Sequence, residues 1–447
     1  MKKKYLFLII LIIMFTIAFS GCSNNLPDKL SVKFETNGGS NIETIKLSKG
    51  DKILKPNDPI KDGYIFDGWY ISNTDFNDEN KWNFIGYSVS DSMTLYAKWT
   101  AKTNISVSFD LCGGKGEASP IYSLTFDENY DTLPVCITKT GYKFDGWYTK
   151  ENGLGTKINN NSQVKISTNH TLYANWINLF ESGNGSKNNP YMIKTKEQLT
   201  DFAEQITHGE TYSGIYIGLQ VDIDLNNEEW SPAGSGENGF SGNFNGNGHI
   251  VKNYKITEDG SYIGFFGSTN GGIIENLSIS NFNININSSN SIIYAGGLVG
   301  ENSVYSNSEK AIIKNCSVIG EIYASGAEAT VGGISGTNRG SIINCFSNVK
   351  VMSYSKSTNY SCYAGGLIGN DYGNVENSIA MGDVYAKKDN TREYVSYCSA
   401  GTLFGTKSGY SYTEKNNYYF ENQVVIRQIG TTNYEGRKNG TICTKID

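Results

Sequence analysis

Histidine is the scarcest chemically versatile residue in this chain, with three among 447 residues: His170, His208 and His249. A zinc peptidase needs two His one helical turn apart with a Glu beside them. His208-Gly209-Glu210 does not supply that motif, so metallopeptidase chemistry is not expected. No Gly-x-Ser-x-Gly occurs, so a nucleophile elbow is missing too. Arginine is almost as rare (Arg339, Arg392, Arg427 and Arg437), and 38 Lys+Arg face 44 Asp+Glu. There is no basic footprint for nucleic acid. Proline occurs 7 times, and long stretches rich in Ala, Leu, Glu and Lys are few. With 50 Gly and 30 Tyr, this composition points to many short strands and turns.

Long apolar runs are missing everywhere except at the start. Lys2, Lys3 and Lys4 precede an apolar stretch from Tyr5 to Phe19, followed by Ser20-Gly21-Cys22. The stretch is shorter than the ~20 residues a spanning helix needs, and its flanks are those of a secretory signal. Phe19-Ser20-Gly21-Cys22 resembles the lipobox of bacterial lipoproteins, with Phe19 where Leu is usual. The resemblance implies cleavage before Cys22, a diacylglycerol on its thiol and a mature chain held at the membrane by two or more acyl chains. Everything after Cys22 is then expected on the extracellular face. Of eight Cys, seven remain if Cys22 is lipidated (Cys112, Cys136, Cys316, Cys345, Cys362, Cys398 and Cys443), an odd number unlike a small disulfide scaffold.

Two internal repeats organise the rest. Residues 32–39 (VKFETNGG) match 107–114 (VSFDLCGG), residues 63–70 (GYIFDGWY) match 141–148 (GYKFDGWY), and 95–99 (LYAKW) match 172–176 (LYANW). Val32 and Phe34 alternate as in a half-buried strand, and Asn37-Gly38-Gly39 supplies a tight turn. Asp67-Gly68 reads as another turn. Trp69, Trp99, Trp147 and Trp176 hold equivalent places, and core is the expected role of these rings, ahead of a sugar-stacking platform. The pattern resembles the Listeria–Bacteroides (internalin B-repeat) family over residues 31–177, which implies small β-grasp-like modules used as spacers, without catalytic residues. Cys112 replaces Asn37 and Cys136 replaces Asp58 in the second copy, so a local disulfide there is open.

After a polar linker, Thr195-Lys196-Glu197-Gln198 forms a capping box before Leu199, Phe202, Ala203 and Ile206, predicting a helix over 196–207. A second repeat follows: Gly264-Phe265-Phe266-Gly267, Gly297-Leu298-Val299-Gly300, Gly333-Ile334-Ser335-Gly336, Gly366-Leu367-Ile368-Gly369 and Thr402-Leu403-Phe404-Gly405, with final glycines 33, 36, 33 and 36 residues apart. Between them Val251-Lys252-Asn253, Ile274-Glu275-Asn276, Ile313-Lys314-Asn315, Ile342-Ile343-Asn344 and Val375-Glu376-Asn377 align. About three short strands per period, with no helix between them, predict coils stacked into a right-handed β-helix-like solenoid. The aligned Asn serve either as a side-chain ladder or as corner residues. Cys316/Cys345 and Cys362/Cys398 fall on neighbouring coils, as stacked thiols rather than cross-links. This part resembles the GLUG-motif family, which implies a bacterial surface location more firmly than a ligand.

The expected organisation is a signal peptide (1–21), linker (22–30), modules at 31–100 and 104–177, linker (178–190), solenoid (191–420) and a tail or cap (421–447), with Tyr418-Tyr419-Phe420 closing the stack. The fold class is mostly β. Glu321 and Asp383 share a column interrupted by Lys350, and Glu275 and Glu376 one interrupted by Lys314 and Ile343, so paired catalytic carboxylates are not expected. Asp222, Asp224, Glu228 and Glu229 are the densest acidic group and the one place for a Ca²⁺ site. No catalytic residue, cofactor or metal is assigned; Cys22 is the one site residue. The expected function is non-catalytic: a lipid-anchored surface protein whose partners are the membrane and an extracellular protein or glycan. The alternatives are a carbohydrate-active β-helix enzyme and a glycan-capturing lipoprotein of an uptake system.

Overall fold

The structure is a computed structural model and describes residues 29–304, 311–357, 359–388, 397–407, 414–420, 422–429, 432–438 and 441–443. Cys22 and the whole of the expected signal peptide lie outside the described residues. Contacts divide the chain into two compact units. One comprises residues up to 108 with 119–133 and 159–171; the other comprises 109–118, 134–158 and 172 onward.

In the first unit, strands Leu30–Glu35, Ile45–Leu47, Tyr64–Tyr70 and Met93–Ala101 form a mixed sheet in the order second, first, fourth, third. The central pair is parallel and the outer pairs antiparallel, as in a β-grasp. Val32, Phe34, Trp69, Leu95 and Ala97 make its core. Trp69 is buried edge-on against Phe34 at 4.9 Å, and Trp99 closes on Phe66 while its Nε1 donates to Thr36 O at 2.8 Å. Asn37 turns the chain at φ 49°. Asp67-Gly68 is not a turn, however. It is a β-bulge inside one continuous strand, where Gly68 at φ 140° shifts the register so that Phe66 and Trp69 both face inward.

The second unit contains the matching strand Tyr142–Tyr148, bulged likewise at Asp145-Gly146. Hydrogen bonds from Tyr148, Lys157 and Asn175 hold the Asp145 carboxyl down at about 2. Trp147 is buried and its Nε1 donates to Pro134 O. Cys112 stands at φ 49°, in the left-handed position that Asn37 holds in the first copy, and both Cys112 and Cys136 are free thiols.

The solenoid occupies the rest. Each full coil has four strands rather than three, because the chain turns a corner inside each Gly-x-x-Gly segment. One coil runs Ile273–Glu275, Ser278–Asn287, Ile292–Gly296 and Val299–Ser303, and the next begins at Ile312–Lys314. Strands pair parallel with their counterparts one coil on, apart from the antiparallel pair Val425–Ile429 and Thr432–Glu435 at the end, giving four sheets of 8, 11, 5 and 5 strands. Apolar residues stack inside: Phe244, Ile274, Ile313, Ile342 and Val375 are in register and buried. The final glycines stack as well. A Cβ on Gly300, Gly336, Gly369 or Gly405 would lie 2.6–2.7 Å from the carbonyl oxygen of the stacked glycine one coil back. No other residue fits that approach.

The helix spans Lys196–Thr207 with both halves of the Thr195/Gln198 capping box made. It buries Leu199, Phe202, Ala203 and Ile206, and Phe202 packs on Tyr212, Phe240 and Phe244. It covers apolar side chains that begin the stack. At the other end, Tyr418–Phe420 forms a rung and pairs onward with Thr441–Cys443, while Val425–Ile429 extends the long column from Val384–Lys388.

The aligned asparagines are both ladder and corner. Asn276, Asn315, Asn344, Asn377 and Asn416 all take φ of 50–53°. Asn276 Nδ2 donates to Asn245 Oδ1 at 3.1 Å, Asn315 to Asn276 at 3.0 Å, Asn344 to Asn315 at 3.1 Å and Asn416 to Asn377 at 3.1 Å. Val251-Lys252-Asn253 does not belong to this set. It lies one column over, paired with Ile279-Ser280, and Asn253 accepts from Asn281 Nδ2. A second, fully buried ladder was hidden in the sequence: Thr269 Oγ1 donates to Asn302, Asn302 Nδ2 to Asn338 at 2.8 Å, and Asn338 Nδ2 to Asp371 Oδ1 at 2.8 Å. Burial pushes the Asp371 carboxyl up to about 6, against the bonds from Asn338 and the Gly373 N–H. Its Oδ2 has no hydrogen-bond partner among the described residues.

Candidate binding face

The acidic cluster does not converge. Asp222 Oδ1 accepts from His249 Nδ1 at 3.0 Å and from the Ile250 N–H at 3.1 Å. Asp224 accepts from the Asn226 N–H and Asn253 Nδ2, Glu228 pairs with Lys196 at 2.7 Å, and Glu229 accepts from Thr257 Oγ1 at 3.0 Å. The Ile250 N–H and His249 hold Asp222 below the usual carboxylate range, and the Asn226 N–H and Asn253 do the same for Asp224. Among the described residues, no three His, Cys, Asp or Glu side chains gather as a metal site would require. His170 contacts the Tyr130 hydroxyl at 2.8 Å, and His208 caps the helix. These groups tie corners and ends together.

The carboxylate columns lie as the repeat spacing required. Glu275 pairs across from Lys314 (2.9 Å), followed by Ile343 and Glu376. On the outer face of the long column, Lys255, Asn283, Glu321 and Lys350 stand in one row across four coils. Lys350 is next to Asp383, since Val351 pairs with Val384. Asp383 itself accepts from the Val424 N–H at 3.0 Å.

That face carries the main groove. Strand Ser278–Asn287 reads SISNFNININ: Ile279, Phe282, Ile284 and Ile286 point inward, and Asn281, Asn283, Asn285 and Asn287 point out. A bulge at Asn281, φ 51°, shifts the register against Ser317–Gly326 and sets Phe282 opposite Gly320. A Cβ on Gly320 would sit 2.6 Å from the Phe282 ring, so the ring occupies the space a side chain would take. Along this bulged face runs an open groove of about 820 Å³ lined by Asn281, Asn283, Asn285, Asn348, Ile319 and Glu321, among others. A second hollow of about 400 Å³ continues it past Tyr323, Lys350 and Met352, sharing Asn283, Asn285 and Glu321. Among the described residues, Lys255, Glu321 and Lys350 make no ion pair with one another, so their charges face solvent. Sequence reasoning passed over this comb of amides, although its strict alternation places four Asn on one face of one strand.

The cysteine pairs are buried and free. Cys316 and Cys345 donate to carbonyls of the preceding coil, Ile274 O and Ile313 O, at 3.8 Å each. Cys362 and Cys398 are direct partners on neighbouring strands. Burial pushes the Cys316 and Cys362 thiols well above their ordinary range, which leaves them inert as nucleophiles.

Comparison with known proteins bears on the two modules and on the surrounding architecture. Over 203 residues the chain is 34% identical to a candidate Gly-rich membrane protein of Evansella cellulosilytica, covering 42% of this chain and 21% of that protein. It is 32% identical over 161 residues to Internalin H of Listeria monocytogenes serovar 1/2a, covering 36% of this chain and 27% of the relative. The chain therefore spans about a fifth to a quarter of these curated relatives. A solved structure named as a candidate immunoglobulin A1 protease from Bacteroides ovatus aligns at 24% identity with a TM-score of 0.44, over 60% of this chain and 87% of that one. Residues 31–98 and 106–175 each match the Listeria-Bacteroides repeat domain, so this chain carries two copies of that domain.

Proposed function

We propose that this is a non-catalytic surface protein, anchored through lipid on Cys22, whose two repeat modules space a β-solenoid that binds an extracellular protein or glycan. The observation that carries this reading is the division of labour in the solenoid. Inward positions are spent on apolar stacks and hydrogen-bonded ladders, whereas the outer face of the long column presents a groove lined by a comb of amides with Lys255, Glu321 and Lys350 among them. Such a face suits broad, shallow recognition. Support for a surface location comes from the names of the relatives, a membrane protein and an internalin, and from the Lys2–Cys22 signal with its resemblance to a lipobox. The GLUG-like glycine segments agree with it.

Two measurements test this. Growth with an alkyne fatty acid should label the wild-type chain and not Cys22→Ala, and external protease should remove the labelled protein from intact cells. The purified mature chain should bind immobilised matrix proteins or cell-wall glycans saturably, without producing new reducing ends. Unlabelled protein retained in the cytoplasm, or sugar cleavage by the pure chain, would overturn the reading.

A further inference from the structure

We infer that the groove over Asn283, Asn285 and Glu321 binds a neutral, extended polysaccharide lying along the coil axis. This rests on the surface-binding reading and narrows it to one ligand class. Five exposed amides (Asn227, Asn281, Asn283, Asn285 and Asn348) line the groove, and an amide carries two donors and an acceptor, one donor of Asn281 being taken by Asn253. That pairing matches adjacent sugar hydroxyls, or an N-acetyl group, and adds no charge.

The groove's charges are too few and too mixed to be built for a polyanion. The groove's central row holds Lys255 and Lys350 about Glu321, with no arginine. A carboxylate at the midpoint opposes phosphate or uronate, whose binding is driven by clustered cations. A folded protein partner would want buried aromatic anchors in a desolvated centre. Here the larger hollow is lined mainly by polar side chains, and its one strongly exposed apolar residue is Ile319, 44% exposed.

The spacing of the rungs agrees with such a ligand. Successive coils repeat each outward position at the strand spacing of about 4.8 Å. Lys255, Asn283, Glu321 and Lys350 form one such row, and Asn285, Tyr323, Met352 and Tyr385 form the next. A linear chain of pyranoses advances by a similar step per sugar, so one ring meets one rung. Half-buried Tyr323 lines the second hollow and supplies an aromatic ring of the kind that packs on the apolar face of a sugar, beside the amides that take its hydroxyls. The joined hollows, open along the axis, leave the ends of a polymer free to run on.

The test uses the mature chain, its Asn283→Ala/Asn285→Ala double variant and an Asn287→Ala control, with circular dichroism to establish folding. Probes in titration calorimetry are a soluble neutral β-glucan, N-acetylchitohexaose, a polyuronate and duplex DNA. One of the neutral probes should bind, with little change between low and high salt, and at least tenfold more weakly in the double variant while the control is unchanged. Neutral glycan binding that survives the double variant would move the site elsewhere and overturn this inference, leaving surface binding intact. Binding confined to the salt-sensitive polyanions, or to matrix proteins only, would do the same. Failure to bind any glycan or matrix protein would remove both readings.

Discussion

Replacing Asp371 by Asn should make the solenoid more stable at neutral pH, and the gain should vanish in acid. Asp371 ends the buried ladder through Asn302 and Asn338, with one carboxylate oxygen accepting from Asn338 and the Gly373 N–H and the other unpartnered. Burial raises its pKa from 3.8 to about 6. One pH unit corresponds to about 1.36 kcal/mol, so the charged form costs roughly 3 kcal/mol relative to the unfolded chain. The direction follows from proton counting. Between pH 4 and 6 the folded chain keeps a proton that the unfolded chain has lost, so this group's contribution is complete below about pH 4 and disappears as pH rises through 6. Asn cannot ionise, and its side-chain oxygen can accept the same bonds. Urea unfolding followed by circular dichroism at pH 4, 5, 6 and 7.5 should show Asp371→Asn about 2–3 kcal/mol more stable at pH 7.5 and equal to wild type near pH 4. A difference that stays constant with pH, or a variant less stable at pH 7.5, would refute the reasoning.

Other consequences are as direct. Asn315→Ala should cost about 1–2 kcal/mol because alanine resists the left-handed corner, whereas Asn315→Gly should cost less than about 1 kcal/mol, since this exposed rung exchanges its amide bond for water; equal losses in denaturant melts would mean that the ladder bond, not the corner, sets the cost. Gly336→Ala should unfold or severely destabilise the solenoid, measurable as loss of the cooperative melt, because its Cβ meets the Ala295 N and Gly300 O at 2.6 and 2.7 Å. Titration of the native mature chain with a thiol reagent should modify exposed Cys136 quickly and leave Cys316, Cys345, Cys362 and Cys398 unreacted until denaturant is added; rapid native labelling of any of these four would contradict the packed stack.

Legibility of the fold in the sequence followed how directly each residue's role was fixed by its neighbours. The capping box at Thr195, the stacked final glycines and the core Trp69 and Trp147 were readable, because each is set by local chemistry or by repetition of one residue type. Val251-Lys252-Asn253 lies in a different column from the one its pattern suggests, because register depends on which strand lies beside it and three residues suit two columns equally. Asp67-Gly68 suggests a turn because the dipeptide serves a bulge as well as a hairpin. The buried ladder escaped notice because its side chains change from Thr269 through Asn302 and Asn338 to Asp371, which hides a column that stands two residues after each final glycine. The groove depends on the bulge at Asn281 and on outward residues of several coils, which meet only once the coils are stacked.

The proposed function turns on the outer face holding a ligand without transforming it. Incubating the mature chain with cell-wall polysaccharide, then measuring both the bound fraction and the chain length of recovered sugar, addresses this in one experiment. Saturable retention of glycan released at its original length is the predicted result. Shortened or unsaturated oligosaccharides appearing with the pure protein would contradict it.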